Sequence, residues 1–307
     1  MVVAKQKRRF DKQRLRANVV LYTMFIPVLI YFAIFRIVPM YGYLMAFQDY
    51  QMVEGISGSP WMGLYNITMM FGNPVFRRIV LNTLHLSIIG IVFGFPMPII
   101  IALLLNEVSN AHFKKLTQTA VFMPHFLNWT VVGAFVTMLF SKESGLVNTA
   151  IVALGGESKA FLYSDSSWIL IYALTGVWKG AGWGAVIYLA AISGVSIDQY
   201  EAATLDGATR VQKMWYITLP SILPVIMIKL IMTVESIMSV GFEQIYVMTN
   251  DSVKNISNVI SLYSYKSIQS GRNFGVTTAM SLVEAAMGFI MMAFVNRMCR
   301  FTGNQLW

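Results

Sequence analysis

Long apolar runs separated by short polar segments dominate the pattern of this chain. Three runs contain no Asp, Glu, Lys or Arg, and three more contain only isolated charges. The runs are Ala17 to Phe35, Ile79 to Asn106, Leu116 to Ser141, Ser166 to Ile197, Met214 to Asn250 and Asn273 to Asn296. An apolar helix of ~20 residues crosses ~30 Å of hydrocarbon. The pattern therefore predicts six transmembrane helices.

The composition supports this class of protein. Hydrophobic residues make up 56% of the 307 residues and charged residues only 12%, and the mean hydropathy is +0.61. We therefore expect an all-α, polytopic membrane protein. The single cysteine, Cys299, excludes an internal disulfide. The three histidines, His85, His112 and His125, show no spacing typical of a metal site or a catalytic triad.

Basic residues set the expected orientation. Before the first run stand Lys5, Lys7, Arg8, Arg9, Lys12, Arg14 and Arg16. Because Lys and Arg are retained on the cytoplasmic side, we place the amino terminus inside, and six crossings return the carboxyl terminus to that side. This basic segment contributes much of the net charge of +9 and favours contact with anionic lipid over nucleic acid. The first run has no convincing cleavage site, so we expect it to remain as a membrane helix.

A polar stretch from Ser196 to Pro224 interrupts the apolar pattern between the fourth and fifth runs. Ser196 and Gln199 have the spacing of a capping box, which predicts a helix starting near Ile197. The Asp206-Gly207 pair predicts that this helix ends there and that Asp206 caps a second one. Pro220 and Pro224 are then expected to break or kink the second helix. The stretch is interpreted as an elbow of two short helices that serves for docking.

Aromatic and charged residues inside the apolar runs are candidates for a transport path. Helical spacing places Lys179 near Trp183, and Glu235 and Glu243, eight residues apart, are expected to share a face that looks inward. A packing role remains open for all of them, and Glu284 is equally compatible with structural pairing. The candidates are Asn128, Trp129, Trp178, Lys179, Trp183, Tyr188, Glu235 and Glu243. Lys229, nearer the cytoplasmic start of its run, is expected to snorkel or pair.

The polar stretch also resembles a known motif. Glu201-Ala202-Ala203, then Gly207 preceded by Asp206, then Ile217-Thr218-Leu219-Pro220 is similar to the cytoplasmic coupling motif of ABC importer permeases. Glu284-Ala285-Ala286 lies inside an apolar run and lacks the trailing Leu-Pro, so no coupling role is assigned to it.

The resemblance extends along nearly the whole chain and implies its organisation. The implied parts are a basic cytoplasmic segment (1–18), the first membrane helix with an outer loop (19–78), a five-helix permease core (79–298) with coupling helices at 197–219, and a cytoplasmic end (299–307). Pro39-Met40-Tyr41-Gly42, Pro124-His125-Phe126 and the terminal Leu306-Trp307 resemble the branch that serves oligosaccharides and polysaccharide fragments. Pectic fragments and alginate are the implied substrate classes, with alginate preferred because Lys179 could neutralise a uronate.

The family resemblance also implies partners. The chain would form a heterodimer with a second, related permease in the bacterial inner membrane, two ATPase subunits would bind ATP and Mg, and an extracytoplasmic solute-binding protein would deliver the sugar. The implied coupling residues are Glu201, Ala202, Ala203, Asp206, Gly207, Leu219 and Pro220. The chain itself would carry no cofactor, no metal and no catalytic residue. It has no Gly-x-x-x-x-Gly-Lys-Ser/Thr loop to cradle a nucleotide phosphate.

An alternative from a different class is an ion-coupled secondary transporter. In that reading Glu235, Glu243 and Glu284 would be proton or cation sites. Dependence of transport on an ATPase or on an ion gradient distinguishes the two.

Overall fold

The computed structural model describes residues 19–235, 241–271 and 274–299, and in this part of the chain the secondary structure is helical apart from an isolated bridge between Gln48 and Trp61. The basic segment 1–18 and the predicted cytoplasmic end from Arg300 to Trp307 lie outside the described residues.

Thirteen α-helices longer than one turn lie in the described ranges. They are α1 Val19–Phe32, α2 Tyr65–Gly72, α3 Pro74–Gly94, α4 Pro96–Glu107, α5 Ala111–Phe122, α6 Trp129–Phe140, α7 Leu146–Ala153, α8 Asp165–Ser193, α9 Ile197–Leu205, α10 Leu219–Glu235, α11 Phe242–Met248, α12 Ile260–Gln269 and α13 Phe274–Cys299. Single helical turns lie at Gly55–Gly58, Arg210–Lys213 and Lys254–Ser257, and short 3-10 turns at Met123–Phe126 and Asp251–Val253.

The helices account for the six predicted spans. Four continuous segments are long and apolar enough to cross a membrane: Leu21–Phe47, Pro74–Glu107, Arg210–Val234 and Phe274–Met298. Two bent pairs complete the set, α5 to α6 with a bend of 102° and α8 to α9 with a bend of 73°. The prediction of a six-span, all-α membrane protein is confirmed, with each bent pair counted as one span.

The first span is longer than its uncharged run. A π-helical turn at Ala33–Ile37 and a 3-10 helix at Val38–Phe47 extend α1 past Arg36 and Pro39. Pro39 lacks an N–H donor and fixes its φ, so the backbone changes helix type there while the chain continues in the same direction. The extension packs against α13, whereas the side chains of α1 are exposed throughout their described length.

Close contacts at two glycines bring α8 to the centre of the bundle. A Cβ at Gly182 would collide with the backbone carbonyl of Val121 in α5, and one at Gly184 would lie 2.8 Å from Cγ of Pro98 in α4. Only glycine allows these approaches, as is common where membrane helices meet. Tyr188 of α8 is buried in the resulting apolar cluster with Ala102 of α4.

The predicted fifth span is broken in two. α10 is described as far as Glu235, and α11 begins after Gly241, whose ψ of 96° is not helical. The expectation that Glu235 and Glu243 share a face of one helix is therefore wrong, because they belong to different helices. A mean hydropathy over the whole run cannot reveal that the backbone leaves the helical conformation at a single residue, Gly241.

Two buried hydrogen bonds hold α11 against α8. Trp168 donates from Nε1 to the carbonyl of Met248 at 2.9 Å, and Gln244 donates from Nε2 to the carbonyl of Tyr172 at 2.8 Å. These donors and acceptors are shielded from water, so breaking either bond would leave a buried polar group without a partner and would destabilise the fold. The position of α11, and with it Glu243, is thereby fixed relative to α8.

Candidate functional site

The elbow begins at Ser196, as the sequence predicts. Ser196 accepts a hydrogen bond at Oγ from the N–H of Asp198 at 3.2 Å, and α9 starts at Ile197. The expected capping box with Gln199 is wrong, because the Ser196 hydroxyl binds the second N–H of the helix instead of the third. It also donates to Oδ2 of Asp198 at 3.3 Å.

The helix ends in a left-handed cap at Gly207. The N–H of Ala208 donates to the carbonyl of Ala203 at 2.9 Å, and that of Gly207 to the carbonyl of Thr204 at 3.1 Å. This pair of bonds is the Schellman arrangement. Gly207 has a φ of +78°, and a Cβ there would meet no atom within 4 Å. The glycine is thus required by backbone conformation and not by crowding within this chain.

Thr209, and not Asp206, caps the second helix of the elbow. Thr209 Oγ1 accepts from the N–H of Gln212 at 3.3 Å, and Gln212 Oε1 accepts from the N–H of Thr209 at 2.8 Å, which completes a reciprocal capping box. A helical turn at Arg210–Lys213 and a π turn at Met214–Thr218 lead directly into α10. Pro220 lies in the first turn of α10, where a missing N–H is tolerated, and Pro224 lies inside it.

Two side-chain hydrogen bonds connect the arms of the elbow. The hydroxyl of Tyr200 lies 2.9 Å from Oγ1 of the buried Thr218, and Lys213 donates from Nζ to Oγ1 of Thr204 at 2.6 Å. Sequence reasoning missed Tyr200, Thr204 and Lys213 and included Thr218 only as part of the motif, because their pairing depends on how the arms fold together. The bonds link α9 to the base of α10, so the elbow is attached to a membrane helix as one unit.

The outer surface of the elbow is exposed and partly apolar. Glu201, Ala202 and Asp206 are exposed, while Ala203 is half-buried. Leu205 is 89% exposed and Tyr216 is 79% exposed, the fractions expected of residues that project from the surface. Ile197, Val211 and Trp215 are exposed as well. Exposed apolar side chains gathered in one short segment of the chain are typical of a protein interface.

A second group of predicted residues meets where α8 passes the turn between α5 and α6. Lys179 donates from Nζ to the carbonyl of His125 at 2.9 Å, and its ammonium lies 5.2 Å from the ring centroid of Trp129. Trp183 stacks on the His125 ring with centroids 4.7 Å apart and planes at 5°. We call Lys179, His125, Trp129 and Trp183 the cation–aromatic cluster.

A cavity of about 250 Å³ adjoins this cluster at Trp129. Asn128, Glu243, Phe242 and Tyr246 also line it. Asn128 accepts a hydrogen bond at Oδ1 from the N–H of Val131 at 2.9 Å and so caps α6, while its amide nitrogen remains available. Glu243, in the first turn of α11, is exposed. The structure thus places the predicted Asn128, Trp129 and Glu243 around one space.

Three aromatic rings extend this cavity. Phe242, Tyr246 and Tyr265 have ring centroids 4.9 to 5.3 Å apart. A side-chain hydrogen bond with Tyr246 raises the pKa of Tyr265 above its ordinary value. Sequence reasoning missed the three rings. It also missed His125, because the sequence does not show that this residue contacts α8.

The remaining predicted path residues lie elsewhere. Trp178 lines a separate apolar groove with Leu127 and Phe135, and Tyr188 is buried against α4. The side chain of Glu235 lies outside the described residues. Glu284 lies in the middle of α13, on a different helix from Glu243. Within the described ranges, no group of three or more His, Cys, Asp or Glu side chains could hold a metal ion.

Comparison with known proteins gives a family match and several similar sequences. Residues 94–301 match the family described as binding-protein-dependent transport system inner membrane component. The polygalacturonan/rhamnogalacturonan transport system permease protein YteP of Bacillus subtilis (strain 168) is 39% identical over 305 residues, with 99% of this chain and 95% of YteP covered. Protein LplB of the same organism is 39% identical over 277 residues, with 90% and 87% covered.

Two solved structures are similar in both fold and sequence. A chain of a bacterial ABC transporter involved in the import of the acidic polysaccharide alginate has a TM-score of 0.85 and 35% identity, with 94% of this chain and 97% of that chain covered. A chain of the bacterial alginate ABC transporter in complex with an alginate pentasaccharide-bound periplasmic protein has a TM-score of 0.86 and 34% identity, with 95% and 98% covered. The chain belongs to the family of binding-protein-dependent transport system inner membrane components.

Proposed function

We propose that this chain is one permease subunit of an ATP-driven importer that moves acidic oligosaccharides or polysaccharide fragments into the cytoplasm. It would pair with a second, related permease, receive sugar from an extracytoplasmic binding protein, and respond to two ATPase subunits that hold ATP and Mg. Both termini would be cytoplasmic, with the core at 79–298 and the coupling helices at 197–219.

The observation that carries the proposal is the elbow. A capped helix with an exposed apolar surface, joined through Tyr200 and Thr218 to the base of α10, suits transmission of motion from a partner to the membrane helices. Glu201, Ala202, Ala203, Asp206 and Gly207 would form the ATPase contact, with Leu219 and Pro220 at the junction to α10. Small Ala202 and Ala203 allow close approach, and Glu201 would pair with a basic residue of the ATPase.

The substrate class rests on the cation–aromatic cluster and on the relatives. Sugar rings present C–H faces that pack on aromatic rings, and Lys179 provides a cation for a uronate carboxylate. Asn128 and Glu243 could bind hydroxyl groups beside Trp129 and Trp183. YteP is named for polygalacturonan and rhamnogalacturonan, and the solved neighbours for alginate. Acidic pectic fragments and alginate oligomers are accordingly the substrates we propose. The ion-coupled alternative draws no support from these likenesses.

Two tryptophans of α8 provide a matched test of the path. Trp183 and Trp178 are 50% and 48% exposed, but only Trp183 belongs to the cluster. In proteoliposomes that contain the whole complex, Trp183→Ala should lower uptake of oligogalacturonate or oligoalginate about tenfold, since stacking on an aromatic ring contributes roughly 0.5–1.5 kcal/mol beyond area burial.

Trp178→Ala is the control and should leave uptake within about twofold of the wild type, because that indole lines a different groove. Equal losses in both variants, or none in either, would remove the cluster from the path. Uptake of neutral oligosaccharides at the same rate as acidic ones would contradict the substrate class.

A further inference from the structure

A cavity of about 240 Å³ lies between α3, α8 and α10 and shares no residue with the cation–aromatic cluster. Its described polar lining comes from Ser87, Tyr172, Tyr188, Lys229 and Thr233, and part of its wall is glycine. Pockets for whole drug-sized ligands measure roughly 300–1,000 Å³. The space therefore suits a single charged group or ring more than a complete oligosaccharide.

Among the described residues that line this cavity, only Lys229 is basic. It lies in the middle of α10, is half-buried, and is the residue that the sequence predicts to snorkel or pair. The hydrogen bonds among the described residues engage its carbonyl, which accepts from Thr233 Oγ1 at 2.7 Å, but not its ammonium. Thr233 follows one helical turn later and thus faces the same space.

The cavity owes its volume to small residues on α3. A Cβ added at Gly90 or at Gly94 would meet no atom within 4 Å. These glycines therefore do not serve a close helix contact, unlike Gly184 on the opposite wall, where a Cβ would lie 2.8 Å from Cγ of Pro98. Space left open beside an ammonium is suited to a ligand.

The chemistry of the lining selects an anion that also carries hydroxyl groups. An ammonium inside a membrane-spanning helix is destabilised unless it meets water or an anion. The hydroxyls of Ser87 and Thr233 already donate to the carbonyls of Thr83 and Lys229, so toward a ligand they can accept hydrogen bonds from its hydroxyl groups, while the Tyr188 hydroxyl can donate or accept. A carboxylate attached to a polyhydroxylated ring matches both features, whereas the headgroup of an anionic lipid would bring acyl chains that this volume does not hold.

We propose that Lys229 and the hydroxyls around it form a second binding station, which holds the carboxylate of one uronate residue during passage through the permease. The inference rests on the proposed import of acidic sugars and adds a specificity-determining residue outside the predicted path. The lining of the station includes Gly184, the residue after Trp183, but none of the residues of the cation–aromatic cluster, so the station would act on a different sugar unit or at a different step.

Three variants in the reconstituted complex test the station. Lys229→Met should raise the transport KM for a homogeneous oligouronate about tenfold, as expected when a charge-assisted hydrogen bond to a carboxylate is lost. Lys229→Arg keeps the charge and should restore most of the affinity. Gly90→Val fills the open space and should raise the KM with the charge still present.

Gly72→Val is the control for the last variant, because Gly72 is a helical glycine with equally open surroundings in α2. Wild-type uptake of oligouronate together with unchanged KM in both Lys229→Met and Gly90→Val would overturn the station and leave the proposed function standing. The station would also be overturned if the only change in these variants were in the amount of anionic lipid that copurifies with the complex. Failure of the wild-type complex to import any oligouronate would instead overturn the proposed function.

Discussion

Single residues of the elbow show how far local rules reach. Gly207 was predicted to end α9, and its φ of +78° within a Schellman arrangement agrees with that prediction. The capping box predicted for the start of α9 does not form. Ser196 and Gln199 have the same spacing as Thr209 and Gln212, yet only the second pair forms a capping box. Spacing identifies candidates, and backbone geometry decides between them.

Gly207 can be tested with a matched glycine. Gly207→Val places a β-branched residue in the left-handed region, which costs about 1–2 kcal/mol. It also puts a side chain on the surface proposed to meet the ATPase. We expect membrane insertion to persist and sugar uptake per ATP hydrolysed to fall about tenfold, measured by parallel uptake and phosphate-release assays in proteoliposomes.

Gly155 provides the control. It has a φ of +82° with no atom within 4 Å of an added Cβ, and it lies outside the elbow. Gly155→Val therefore introduces comparable backbone strain without touching the coupling surface. A similar loss of coupling in the two variants would mean that the effect is general destabilisation.

At the level of elements, the apolar runs predicted six spans but not their interruptions. A hydropathy average over Met214 to Asn250 cannot show that Gly241 separates α10 from α11. Helical spacing predicted that Lys179 and Trp183 neighbour each other on α8. It could not predict that both would reach His125, because that contact depends on the close approach that Gly182 allows to α5.

The hydrogen bond between Tyr200 and Thr218, which connects the two arms of the elbow, can be tested by mutation. Tyr200→Phe removes one hydroxyl and keeps the ring, so α9 should persist while its bond to Thr218 is lost. Because a hydrogen bond contributes roughly 0.5–1.5 kcal/mol net, we expect the ratio of sugar transported to ATP hydrolysed to fall about threefold. Tyr163→Phe, at an exposed tyrosine far along the chain from the elbow, should leave the ratio unchanged. A loss of ratio in Tyr163→Phe, or none in Tyr200→Phe, would contradict transmission through this bond.

On the scale of the whole molecule, much apolar surface remains uncovered within one chain. The described side chains of α1 are exposed while the following 3-10 helix packs on α13. Exposed apolar side chains of a membrane protein are covered by lipid or by another subunit. The sequence alone could indicate the number of spans, which follows from local composition, and the elbow, which follows from local capping and turn signals. The proposed coupling role of the elbow came from the family resemblance. Which spans gather around Lys179 and around Lys229 depends on packing between distant segments.

The central claim is that ATP hydrolysis by partner subunits drives sugar import through this permease. The most direct measurement is uptake of labelled oligouronate into proteoliposomes that contain the complete complex with its binding protein, with ionophores collapsing all ion gradients. We predict that uptake proceeds with ATP and Mg on the elbow side, stops without ATP, and falls in Gly207→Val. Uptake by this chain without an ATPase, driven by a proton gradient and insensitive to Gly207→Val, would contradict the account.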